Sequence, residues 1–174
     1  MAGRKAVVVG GSMAGLFSAN MLHRSGWQVL VLERSDAPLG GRGAGIVTHA
    51  GMLALLQRAG VSDESGLGVP VRHRVSFDRQ GRQTAQVDFD QILMGWSRLH
   101  SLLLAALPPQ CYHLRRCVQQ VRLGSAGAPA EVSCADGSHF EADLVVAADG
   151  VRSSLRALVL PDEPAQTEIG RAHV

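Results

Sequence analysis

The alternation of apolar and polar positions predicts a β-α-β unit at the start of the chain. Residues 5–9, KAVVV, form a β-branched run of the kind buried in a parallel sheet. Met13, Leu16, Phe17, Met21 and Leu22 then recur at helical spacing, and Gly26 closes that helix. WQVLVLE, residues 27–33, reads as a second strand, and a right-handed crossover makes the two strands parallel neighbours. RSDAPLGGRGAGIVTHAG reads as loop, followed by a helix near 50–59 that Gly60 terminates. Residues 61–70 are a Gly- and Ser-rich connector.

Further along, VRHRVSFDRQGRQTAQVDF alternates around a turn at Gln80-Gly81, which predicts an antiparallel hairpin. WSRLHSLLLAAL predicts a helix with Leu99, Leu102, Leu103 and Leu107 inward, stopped by Pro108-Pro109. Strands are expected over 112–123, 130–135 and 143–148, with a turn at Asp136-Gly137 after the second. The pattern is α/β, with no internal repeat or low-complexity segment.

Composition narrows the class. The 174 residues allow one domain with a core and barely two, and 46% hydrophobic with 18% charged residues is ordinary for a globular protein. A net charge of +2 is too small to argue for nucleic acid or an anionic membrane. Cys111, Cys117 and Cys134 form no C-x-x-C pair and leave an odd count, which fits semi-buried reduced thiols and no metal site. The basic start and its short apolar run are broken by glycines before any cleavage region, so a cytoplasmic location is expected.

The chemistry begins at GGSMAG, residues 10–15, a G-x-G-x-x-G pattern with Ser12 at the third position. Gly10 permits the tight turn out of the strand, and Gly15 lets the helix pack close to the sheet. The helix N-terminus offers unpaired N–H groups and a positive dipole end to a pyrophosphate. Ser12 keeps a small side chain there, with a hydroxyl able to donate to phosphate. Alone the motif is equally a Gly-rich strand-to-helix turn. Glu33 changes that reading: it lies at the end of the second strand, where a carboxylate accepts ribose hydroxyls and repels a 2′-phosphate. FAD or NAD is therefore expected at this site in preference to NADP. A third element, LVVAADG, carries Asp149 and Gly150 to the carboxyl end of a strand, where open α/β sheets bind ligands.

Taken together, GGSMAG…VLER, GRGAGI at 41–46 and ADGVRSSLR at 148–156 resemble the FAD-dependent aromatic-ring hydroxylases of the para-hydroxybenzoate hydroxylase type. Members resembling 2,6-dihydroxypyridine hydroxylase share the serine variant of the fingerprint. The resemblance implies a Rossmann-type, GR2-like FAD-binding domain over 1–70 and 96–160, with 71–95 beginning an inserted antiparallel substrate-domain sheet. It implies that Gly10, Gly11, Ser12, Met13, Ala14, Gly15, Glu33 and Arg34 hold the ADP half of FAD. Arg42, Ala44 and Gly45 would pass beside the flavin, and Arg98 would approach the phosphates through charge-assisted bonds. Val118 would flank the adenine through its backbone, while Asp149 and Gly150 would serve FAD placement and NAD(P)H. The implied activity is an NAD(P)H-dependent flavin monooxygenase that hydroxylates a small aromatic or heteroaromatic molecule with O2. No catalytic acid or base, substrate or oligomeric state is specified by any motif.

Two departures qualify the resemblance. The family's later Gly-Asp motif does not follow ADGVRSSLR, so the chain is expected to be the N-terminal, truncated portion of such an enzyme, inactive alone. The last seven residues, EIGRAHV, are what a codon series matching a sequencing adapter would encode, and 168–174 is expected to be a non-native tail. Rival readings are another flavoprotein on the same scaffold (epoxidase, reductase or halogenase), an NAD-binding dehydrogenase or epimerase, and a non-catalytic fragment. The ADGVRSSLR motif and the inserted hairpin count against the dehydrogenase. His23 and His49 have no partners at ligand spacing, His100 reads as a capped or exposed helix histidine, and Ser153 and Ser154 lack a nucleophile's partners.

Overall fold

A computed structural model describes residues 3–41, 44–61, 66–125 and 127–163, the Val159 side chain excepted. The opening unit is β1 (Lys5–Val9), α1 (Met13–Arg24) and β2 (Gln28–Leu32). After it come β3 (Gly45–Val47), α2 (Ala50–Arg58), β4 (Val69–Phe77), β5 (Gln83–Gly95) and α3 (Trp96–Ala106). A 3-10 turn at Pro109–Cys111 leads to β6 (Tyr112–His113), β7 (Val118–Arg122), β8 (Ala130–Cys134), β9 (His139–Ala142), β10 (Leu144–Ala147) and a short α4 (Arg156–Val159).

These strands form three sheets: a parallel one ordered β10-β1-β2-β6, and antiparallel ones ordered β3-β5-β4 and β7-β8-β9. The period of two along β1 and β2 explains how the parallel sheet is covered. Ala6, Val8, Val29 and Val31 face the helices, packing with Leu16 and Ala19 of α1 and Leu99 and Leu103 of α3. Val7, Val9 and Leu32 face the opposite way, onto Val118, Val121 and Val132 of the β7-β8-β9 sheet. One strand therefore feeds two cores, and a one-residue slip would exchange them. The buried Asn20 ties α1 to α3: its amide donates to the carbonyls of Leu16 and Leu103, each at 2.9 Å.

Three expectations from the sequence need correction. The strand expected over 112–123 is divided, because Arg115 takes φ +59° and turns the chain from the parallel sheet into the antiparallel one. Residues 45–47, expected in a loop, pair with 93–95 of β5. His139–Ala142 forms an unanticipated strand on β8, too short to show a period of its own. The hairpin itself is as expected, with Gly81 at φ +77°, but β5 runs on to Gly95 and delivers the chain directly into α3. Its outer positions remain open to solvent, with Val69 65%, Phe77 60% and Val87 58% exposed.

Candidate functional site

The carboxyl ends of β1, β2 and β10 and the start of β7 meet around a cleft of about 730 Å³. Gly10, Ser12, Glu33, Arg34, Val118, Asp149 and Gly150 all line it. These are seven of the residues singled out from sequence, drawn from four separate segments. A second cleft of about 690 Å³ lies at the opposite ends of β1 and β2, beside Glu131 and Glu141. It has neither a glycine turn nor a helix start, and its paired carboxylates suit an anion poorly.

The turn between β1 and α1 has room only for glycine at three places. A Cβ at Gly10 would lie 2.3 Å from the Ala148 carbonyl oxygen, and φ there is +103°. At Gly15 it would lie 1.8 Å from the Gly10 carbonyl oxygen, so the helix meets the turn backbone to backbone. At Gly11 it would meet the Tyr112 hydroxyl at 2.1 Å. Ser12 occupies the N-cap in an extended conformation, yet its hydroxyl caps no helical N–H. The first-turn donors of α1 are thus not consumed by their own cap residue, which is the condition an anion needs at a helix start. Met13 and Ala14 form that first turn without lining the cleft.

Glu33 is 6% exposed and gathers three donors. Its carboxylate accepts from the Gly11 N–H at 2.7 Å, the Ser35 N–H at 2.9 Å and the Ser35 hydroxyl at 2.7 Å. Burial pushes its pKa upward, but the Ser35 and Gly11 hydrogen bonds and the Arg34 charge together bring it below the ordinary value. Glu33 is therefore an anion at neutral pH, and it fixes the glycine turn as well as facing the cleft.

Asp149 is likewise hydrogen-bonded within the chain at the other wall. Its carboxylate accepts from the Ser153 hydroxyl at 2.6 Å, the Ser154 N–H at 2.8 Å and the Leu155 N–H at 3.3 Å. It folds the 150–155 loop onto itself and seats Leu155, 3% exposed, in the second core. Arg34, Arg116 and Arg152 line the same cleft and bring positive charge to its walls beside the two hydrogen-bonded carboxylates. That arrangement favours a polyphosphate.

Not every residue expected at the site is there. Ala44 and Gly45 lie where β3 begins, with the Ala44 carbonyl accepting from the Trp96 N–H, and neither lines the cleft. Arg98 is exposed and turned to the 66–67 segment, its Nε donating to the Gly66 carbonyl at 2.9 Å. Arg42 lies outside the described residues, as does the 168–174 tail.

His100 is corrected outright. It is 2% exposed, stacked on Trp96 at 4.9 Å between centroids, and its Nε2–H donates to the Gly11 carbonyl at 3.0 Å. The sequence hid this because its partner is a backbone oxygen 89 residues away. Tyr112 was also missed: its hydroxyl donates to the same carbonyl at 3.2 Å. Burial, aided by the Glu33 charge, pushes the Tyr112 phenol up to about 12, so it remains a donor across the neutral range. Arg116 and Cys117 join the cleft immediately before Val118, with the Arg116 N–H donating to the Glu33 carbonyl at 2.8 Å. Cys111, Cys117 and Cys134 are all free thiols. Among the described residues, no cluster of side chains could hold a metal, and no helix is long and apolar enough to cross a membrane.

Comparison with known proteins agrees with this geometry. The sequence profile of the family described as FAD binding domain matches residues 4–174. The 2,6-dihydroxypyridine 3-monooxygenase of Paenarthrobacter nicotinovorans is 34% identical over 158 residues, covering 90% of this chain and 39% of that protein. The solved 2,6-dihydroxypyridine-3-hydroxylase of Arthrobacter nicotinovorans superposes with a TM-score of 0.79 at 30% identity, over 92% of this chain and 40% of that one. Klebsiella pneumoniae HpxO, solved with FAD and uric acid, gives 0.80 at 25% identity, over 92% and 43% respectively. The chain thus spans about two fifths of the length of these relatives.

Proposed function

The chain belongs to the FAD binding domain family, and on that premise we propose that it is the FAD-binding portion of an NAD(P)H-dependent flavin monooxygenase acting on a small aromatic or heteroaromatic molecule. The observation that carries the proposal is the single cleft in which a glycine-only turn, an uncapped helix start, the Glu33 carboxylate and the Asp149-Gly150 loop converge. The fit to FAD rests on that cradle. Gly10 and Gly15 let the turn pack backbone to backbone against the Ala148 carbonyl and the helix start, and the first-turn N–H groups of α1, with Ser12, Met13 and Ala14, would meet the pyrophosphate. Glu33 would accept from the ribose, Arg34 and Val118 would flank the adenine, and Asp149 and Gly150 would hold their loop against the cofactor, all five lining the one cleft. In this reading Arg42, Ala44 and Gly45 would serve the flavin end of the cofactor, and Arg98 would lend its charge to the phosphates.

When bound, reduced flavin supplies the activation of O2 from which one oxygen atom enters an electron-rich ring. The contribution of these residues is to hold and orient the cofactor. The division proposed is 1–70 with 96–160 for FAD and 71–95 for the start of the substrate sheet. The substrate class follows the relatives named for dihydroxypyridine hydroxylation, and a cytoplasmic location follows the three free thiols.

The purified 174-residue chain should retain one FAD and stay yellow through gel filtration. Without further chain it should not couple NAD(P)H oxidation to hydroxylation of 2,6-dihydroxypyridine. A folded chain with no measurable affinity for FAD or ADP would sink the proposal.

A further inference from the structure

The Gly11 carbonyl accepts from two side chains on different elements, the buried His100 Nε2–H of α3 at 3.0 Å and the half-buried Tyr112 hydroxyl of β6 at 3.2 Å. On its other side the Gly11 N–H is held by Glu33 at 2.7 Å, and the Gly10 N–H donates to the Leu32 carbonyl at 2.9 Å. Successive peptides of the turn are therefore fixed by four separate partners. Only one of those bonds, Gly10 to Leu32, belongs to the backbone of the β-α-β unit itself.

Orientation follows from peptide planarity. In a trans peptide the N–H points opposite to the carbonyl of the preceding residue. With the Gly11 carbonyl drawn toward His100 and Tyr112, the Ser12 N–H must point away from them, on the side where Ser12 lines the cleft. Among the described residues, no protein acceptor takes that N–H. We propose that His100 and Tyr112 are positioning residues of the dinucleotide site: by clamping the Gly11 carbonyl they aim the Ser12 N–H at the cofactor pyrophosphate. Serine at the third fingerprint position makes the clamp more consequential, since glycine there could adjust its backbone and serine cannot.

The inference rests on the FAD-binding reading above and reaches beyond it to residues outside the fingerprint. His100 is held for the task by its stack on Trp96, with ring planes 16° apart. Tyr112 is held by its own strand, paired with Val31 in the parallel sheet.

The test uses the 174-residue chain and its variants His100→Ala, His100→Gln and Tyr112→Phe, titrated separately with FAD, ADP and riboflavin. His100→Ala and Tyr112→Phe should each weaken FAD and ADP about fivefold to tenfold, the loss of one buried hydrogen bond. Riboflavin, which lacks the pyrophosphate, should be unaffected. His100→Gln restores an N–H donor and should recover most of the ADP affinity. On binding ADP, the Ser12 amide proton should move downfield in the wild type and less in Tyr112→Phe. ADP affinity unchanged in both His100→Ala and Tyr112→Phe overturns the clamp. So does a loss that falls equally on riboflavin and is not rescued by glutamine, which would make the pair merely structural. A folded wild-type chain that binds neither FAD nor ADP overturns the functional reading, and the clamp with it.

Discussion

The Tyr112 hydroxyl stands where a side chain on Gly11 would have to be: a Cβ built there lies 2.1 Å from its oxygen and 2.6 Å from Cζ. A phenol ring in a core cannot retreat as a flexible chain end would. Gly11→Ala should therefore destabilise the chain by about 1–3 kcal/mol, the range for forced overpacking. In a Tyr112→Ala background the same change should cost much less, because the obstacle is gone. Gly15→Ala provides the contrast, since its Cβ would meet the Gly10 carbonyl at 1.8 Å and no side-chain deletion relieves a backbone clash. A double-mutant cycle by urea denaturation checks this. Equal costs for Gly11→Ala in both backgrounds would remove the clash as the cause.

Glu33 ties acid stability to the cleft. Its folded pKa lies below its ordinary value, since hydrogen bonds from Ser35 and Gly11 outweigh the upward push of burial. A group depressed on folding stabilises the fold above its unfolded pKa and loses that contribution as pH falls through the folded one. Stability should therefore decline as pH drops below about 5, and Glu33→Gln should flatten that decline. At pH 7 the same variant should be less stable by about 1–3 kcal/mol. A glutamine offers one acceptor oxygen where the Gly11 and Ser35 N–H groups both require one, and its NH2 faces a donor. Denaturant titrations at pH 7 and pH 4 measure both effects. An acid profile in Glu33→Gln parallel to wild type would assign the acid sensitivity elsewhere.

How much of this was legible in the sequence depends on the distance over which each feature is determined. The β-α-β unit is local: apolar periodicity, Gly26 and the glycine turn specify it within 34 residues, and all of its elements form as read. The cleft required only that strand ends in a parallel sheet lie together, so Glu33 and Asp149 could be assigned to it from topology. Their bonding could not. Asp149 looked free to meet a ligand, and the structure instead commits its carboxylate to Ser153, Ser154 and Leu155. His100 and Tyr112 were illegible because their shared partner is a backbone carbonyl, which carries no sequence signal. The division of 112–123 was hidden for a related reason. Arg115 at φ +59° is not a residue type that announces a turn, and the change of sheet is fixed by its N–H bond to the Ser35 carbonyl.

Asp149 should prove to be a cap for the loop that follows it. Asp149→Ala removes the acceptor for two backbone N–H groups and two serine hydroxyls, so α4 and residues 150–155 should lose order together. A cost of about 1–2 kcal/mol is expected, in the range of helix-cap and buried hydrogen-bond deletions. Ser153→Ala removes the hydroxyl that bonds Asp149 and also accepts from the Arg156 N–H, and should cost less. Amide hydrogen exchange resolves the location: protection should fall at 154–156 and stay unchanged in β1. Loss spread evenly over the parallel sheet would mean that Asp149 supports the core and not the loop.

Arg98 offers the sharpest division between a structural and a binding role. Its Nε donates to the Gly66 carbonyl at 2.9 Å, so in this conformation it tethers the segment before β4. A role on the cofactor phosphates requires either its remaining guanidinium N–H groups or its charge acting through space. Arg98→Gln can keep a donor near Gly66 while deleting the charge. Thermal stability should then change by no more than about 0.5 kcal/mol, as for exposed positions. FAD affinity should fall at low ionic strength, and the gap to wild type should narrow as salt rises. An exposed charge acts over a screening length of about 10 Å at 0.1 M salt, and much less at higher concentration. Fluorescence titrations with FAD across a salt series read this directly. Identical affinities and identical salt slopes would leave Arg98 as a tether alone, and the positive charge at the phosphates would then have to come from Arg34, Arg116 and Arg152, which line the cleft.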